Sequence, residues 1–266
     1  MTSVLAPVPF DAPLVNPSAA GLFAVTQWQP TAGDAERWLP DGVEIKPWNY
    51  GVDGSFGVWA AAWNVSEEDL VPEADVKRAA DRPAALPVFA AITTWAADEC
   101  DLTAPSRDEI RTRAAQIHRL REPVAVEAEF AARLLDDVDT PTEVVDLVAA
   151  VGALDEMLAA TNTLGFIHGR PSWMSVAAQA NLLVRTGAGF KTPSGHTWVF
   201  GGGYPETLGD TLVATSQPFG WRGEVHLHPA EKLEHNRFHV IAERSLVIGY
   251  EALIGAAEVV PPDEGP

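Results

Sequence analysis

Apolar residues recur at helical spacing in two stretches of the chain and at strand spacing in several others. Thr140-Pro141-Thr142-Glu143 has the form of a capping box with proline at the first helical position, and Val144, Val145, Leu147, Val148, Val151, Leu154, Met157 and Leu158 follow as a broad apolar stripe. This predicts a helix that starts at Thr140. Gly165-Phe166-Ile167-His168-Gly169 reads as a buried strand, residues 171–183 as a second helix, and residues 192–203 as a strand entered through a Pro-Ser-Gly turn. The expected order is α-β-α-β.

Upstream, Ser106-Arg107-Asp108-Glu109 is a second capping box, with apolar positions at Ile110, Ile117, Leu120, Val124, Phe130 and Leu134. Glu109 with Arg113 and Glu129 with Arg133 stand in the favourable i,i+4 order. A helix over residues 106–135 would be about 45 Å long. A compact chain of this size has a radius of gyration of about 18 Å, so the helix predicts a plate-like subunit. Pro123 inside it predicts a kink or restart near Glu122. Residues 238–243 alternate, and residues 246–260 are apolar with Gly249 and Gly255 interrupting, which suits long strands returning to pack under that helix.

Residues 22–63 differ from the rest, being rich in Trp, Gly and Pro and poor in helix formers. Gly51-Val52-Asp53-Gly54 suggests a hairpin tip flanked by strands at residues 43–48 and 56–63. An isolated two-stranded hairpin is too weak to stand without a surface beneath it. Trp28, Trp38, Trp48, Trp59 and Trp63 lack the alternating aliphatics of a core strand, so they read as anchors at an interface.

Composition narrows the functional classes. A chain of 266 residues with 47% hydrophobic and 21% charged residues is globular and has enough length for a large core. It has no apolar run of membrane-spanning length, and its first twenty residues lack both a basic start and an apolar block, so a soluble, unsecreted protein is expected. Its single cysteine, Cys100, allows neither an internal disulfide nor a thiolate metal cluster. With 37 acidic against 18 basic residues the formal charge is −19, and neither terminus carries a basic stripe, which argues against tight direct DNA binding. Acidity also suits a container whose lining must not adhere to nucleic acid, although simple solubility explains it equally well.

Candidate chemistry is sparse. Gly220-Trp221-Arg222-Gly223-Glu224-Val225-His226-Leu227-His228 resembles the opening of a cupin metal motif, and His226 and His228 would share one face of a strand. The following glutamates, Glu231 and Glu234, stand at the wrong spacing, and the helical middle of the chain sits badly with a jelly roll. Gly201-Gly202-Gly203 lacks the Lys-Ser/Thr of a phosphate loop and reads as a bend or a close approach of another chain. Ser175, Ser194 and Ser216 lack a nucleophile elbow, and acidic neighbours disfavour a Cys100 thiolate. His168 is expected to be a hydrogen-bonded core histidine, and Glu122, Glu127 and Glu129 a solvated or intersubunit face. No catalytic, cofactor-binding or metal residue is assigned.

Taken in order, these pieces resemble a family. Ala159-Ala160, the strand at 165–168, the small-residue helix at 175–180, Thr192-Pro193-Ser194-Gly195 and Gly202-Gly203-Tyr204 are similar to the axial domain of tailed-phage major capsid proteins of the Hong Kong 97-like fold, of the actinobacteriophage type. Residues 87–100 are similar to the strand before that family's spine helix, residues 113–130 to the spine helix, and residues 242–260 to its closing strand. The resemblance implies an α+β fold with an N-terminal arm at 1–21 and an extended β-hairpin loop with its flanks at 22–86. A peripheral domain with the spine helix at 87–139, an axial domain at 140–232, and return strands of the peripheral domain with a C-terminal tail at 233–266 would follow. It further implies a non-enzymatic major capsid protein that assembles in the host cytoplasm into hexamers and pentamers of a virion shell. Its partners would be itself, a portal, scaffolding or decoration proteins, and packaged double-stranded DNA bound without specificity, with no membrane. The alternatives are an encapsulin-type nanocompartment and, from another class, a metal-dependent cupin-like enzyme using His226 and His228.

Overall fold

The computed structural model describes residues 10–30, 42–50, 56–71, 75, 77–79, 81, 84–187 and 189–260. In chain order its main elements are α1 (Leu22–Val25), β1 (Gln27–Trp28), β2 (Ile92–Cys100), α2 (Ala104–Asp137), β3 (Thr142–Val144), α3 (Leu147–Thr161), β4 (Phe166–Gly169) and α4 (Trp173–Gln179). The chain continues with β5 (Val184–Thr186), β6 (Gly189–Lys191), β7 (Thr197–Phe200), β8 (Thr211–Thr215), β9 (Pro218–Arg222), β10 (His226–Lys232), β11 (Arg237–Tyr250) and β12 (Leu253–Val259). This is a mixed α+β architecture, as expected.

α2 is 34 residues long, about 51 Å at the usual rise. It begins before the expected capping box because Pro105 fits the first turn, where a missing N–H costs nothing. Thr103 precedes it, held by Asp101, whose Oδ1 accepts from the Thr103 N–H and hydroxyl at 2.8 and 2.6 Å. The helix also runs through Pro123 without the expected restart. Packing pins both halves: Ile110 and Ala114 sit on Phe238, Val240 and Ala242, while Phe130, Ala131 and Leu134 sit in a second core with Val247 and Tyr250.

β11 is the centre of the first sheet. β2 runs antiparallel along one of its edges from Phe238↔Cys100 to Leu246↔Ile92. The other edge is shared by β10, paired with residues 237–243, and β9, paired with residues 246–250, and β1 adds in parallel to β9. The second sheet has the order β3-β12-β8-β4-β7-β6-β5. Sheet membership therefore crosses residue 232 in both directions, since β9 and β10 lie in the first sheet and β12 in the second.

The expected α-β-α-β run is β-α-β-α-β-β-β here. Thr142 and Glu143 form no helix start, because residues 142–144 pair in parallel with Ala257, Glu258 and Val259 of β12. The helix is capped instead by Asp146, whose Oδ1 accepts from Ala149 N at 2.8 Å. α4 is shorter than expected: Asn181 adopts the left-handed conformation, and Leu182 N donates to Ala177 O at 2.8 Å, ending the helix. The β5–β6 hairpin follows. Period-two alternation divides the side chains of β7 between two cores. Trp198 and Phe200 pack with Val151, Leu154 and Leu158 of α3, while Val199 joins the core shared with α2.

Candidate assembly surfaces

The residues with apparent chemistry hold the subunit together. His168 is fully buried on β4, with Nδ1 3.0 Å from the Tyr204 hydroxyl and Nε2 2.9 Å from the Thr215 hydroxyl. Burial lowers its pKa from 6.5 to about 3, so the ring is neutral. This is the core histidine that the sequence suggested.

Glu122 and Glu127, expected on a solvated or intersubunit face, are instead only 4% and 3% exposed. Arg244 of β11 grips both oxygens of Glu122 through Nε and a terminal nitrogen, and the Thr94 hydroxyl donates to Oε1 at 3.2 Å. Glu127 joins three segments: Oε1 accepts from Leu22 N at 2.9 Å and Oε2 from Gly203 N at 3.1 Å. Burial raises its pKa, opposed by these backbone hydrogen bonds. Glu129 is exposed, and Arg133 pairs with Asp137 at 2.7 Å, not with Glu129.

The triple glycine is a close approach within one chain. A Cβ on Gly203 would stand 2.1 Å from Val124 O and 2.5 Å from Ala128 N, so only glycine lets this turn lie on α2. Cys100 donates to Asp101 O at 2.9 Å, and desolvation followed by the Asp101 charge raises its pKa. Ser194 donates to Asp155, while Ser216 accepts from the backbone N–H groups of Glu251 and Ala252.

His226 and His228 do share a strand face, with rings stacked 6.2 Å apart, and His228 Nε2 lies 3.6 Å from Glu243 Oε1. Among the described residues no group of three His, Cys, Asp or Glu is placed to hold a metal ion. Glu231, the misplaced glutamate of the motif, pairs with Arg107 at 2.8 Å.

The surface that stands out is the excursion between β1 and β2. Its base is fixed: Val43 and Phe89 exchange backbone hydrogen bonds, and Glu251, in the link between β11 and β12, accepts from the backbone of Trp48 and Asn49 and from the Asn49 side chain. Several of its described aromatic and apolar side chains nevertheless stand in solvent. Trp48 is 82% exposed, Phe56 91% and Trp63 94%, with Val58 also exposed. Residues 43–48 and 56–63 form no paired strands, a departure from the expected hairpin, and the expected tip at 51–54 and Trp38 lie outside the described residues. Trp28 and Trp59 are partly covered, by Arg222 and Lys77 respectively. Among the described residues no helix is long and apolar enough to cross a membrane.

Three solved structures share this architecture over nearly the whole chain. The capsid of an empty GTA particle matches with a TM-score of 0.52 at 11% identity, covering 97% of this chain and 95% of that one. The capsid of the cyanophage P-SCSP1u matches at 0.52 and 9%, covering 98% and 94%. A chain from Mycobacterium phage Adephagia matches at 0.52 and 11%, covering 100% and 97%. Neither a family model nor a curated protein sequence matches. The fold is therefore one shared with phage capsid proteins.

Proposed function

We propose that the protein is a major capsid protein whose copies build an icosahedral phage head around double-stranded DNA. The observation that carries this is an anchored excursion with bare aromatic side chains on a subunit that has a capsid fold. Covering each large apolar side chain contributes about 1.5–3 kcal/mol. A head-to-tail contact between copies repeats that gain around a ring and closes it. In this reading residues 1–21 are an arm, 22–86 a strap with its flanks, 87–139 and 233–266 the peripheral part, and 140–232 the axial part, with β9 and β10 crossing into the peripheral sheet and β12 into the axial one.

The role is structural. His226 and His228 stand beside Glu243 on a sheet face, and the fold gives the cupin-like reading no support. A portal, scaffolding or decoration proteins and nonspecifically enclosed DNA complete the proposed virion, with assembly in the host cytoplasm. The charge of −19 suits a lining over which DNA slides. Electron microscopy of the purified protein is expected to show closed shells. Monodisperse monomers at every salt concentration would contradict the proposal. Portal and terminase genes beside its own would separate a phage head from an encapsulin-type compartment.

A further inference from the structure

An acidic chain has gathered arginines at one place. A cavity of about 400 Å³ lies where the segment before α1 meets α2, β9 and β11, and Arg119, Arg222 and Arg244 line it together with Glu122, Pro17 and Phe23. Glu122 is already engaged on both oxygens by Arg244. Arg119 donates to the neutral Asn16 side chain, and Arg222 stacks 4.2 Å over Trp28. Among the described residues, these two guanidinium groups thus line the cavity with neutral neighbours in contact and no carboxylate in an ion pair. Burial and then the Arg244 charge disfavour the Arg222 cation, while the charges of Glu122 and Glu224 favour it.

The excursion carries the complementary chemistry. Glu67-Glu68-Asp69 forms an exposed helical turn shortly after the bare Trp63. We propose that the arginine cavity receives this acidic turn from a second copy of the chain. Arginine suits the task because its planar fork binds a carboxylate through two parallel hydrogen bonds. The inference rests on the capsid reading and adds to it the seat of the strap and the charges that select it.

A charge exchange tests it. Arg119→Glu with Arg222→Glu, and separately Glu67→Arg with Glu68→Arg, are each expected to leave a folded subunit by circular dichroism and to abolish shells in electron micrographs. All four substitutions in one chain are expected to restore them. Shells from either half alone, or none from the combination when it folds, would overturn the inference. If the combination fails to fold, Arg222→Cys with Glu68→Cys in a Cys100→Ser background decides: oxidised shells should give covalent multimers, and their absence overturns it. A short single-stranded DNA that binds wild-type subunits but not the arginine variant, without rescue by the exchange, would make the cavity a phosphate site and also overturn it. Lack of shells from the wild-type chain would instead refute the capsid reading itself.

Discussion

The junction around α2 and the excursion between β1 and β2 solve opposite problems. At the junction, carboxylates, a histidine and glycines are buried, and each of the polar groups named there meets a specific partner: Glu122 with Arg244, Glu127 with Leu22 and Gly203, His168 with Tyr204 and Thr215. In the excursion the arrangement is inverted, with Trp48, Phe56 and Trp63 in solvent although the base is tied down through Val43 and Asn49. Burying polar groups inside and exposing apolar ones outside is costly for an isolated globule. It fits the proposed assembly, in which neighbouring copies would cover the exposed aromatics.

Changes at the junction should cost most. Glu122→Ala leaves the partly buried Arg244 guanidinium without its buried carboxylate and is expected to lower stability by about 3 kcal/mol in denaturant unfolding of the subunit. Gly203→Ala forces a methyl against the α2 backbone and is expected to cost about 1–3 kcal/mol by the same measurement. The buried histidine adds acid sensitivity. His168 is depressed to about 3, so below about pH 6.5 the unfolded chain takes up a proton that the folded one refuses. His168 by itself should contribute a fall in stability of about 1.4 kcal/mol per pH unit between about pH 6.5 and about 3, a contribution that should vanish in His168→Gln. Trp63→Ala should change subunit stability by less than about 0.5 kcal/mol while reducing shell yield. A large loss of subunit stability in that variant would erase the contrast between the two regions.

Much of the body was legible in the sequence because periodicity reports burial. The long helix α2, the strand carrying His168 and the long strand β11 all follow from apolar spacing. The helix starts fall elsewhere than expected because a capping box is a local signal, and at Thr142 pairing with β12 overrides it. Glu122 and Glu127 depart from expectation for a related reason: nothing near them in sequence announces Arg244, or the Leu22 and Gly203 amides, which arrive from remote segments. The glycines of 201–203 were the available clue, since three in a row mark a backbone that something must approach closely. The exposed tryptophans were legible through the lack of aliphatic alternation around them, whereas the expected strand pairing is not realised.

Hydroxyl-radical footprinting of free subunits and assembled particles tests the central claim most directly. Trp48, Phe56 and Trp63 should be labelled readily in the subunit and strongly protected in the particle. Equal labelling in both states would contradict the account.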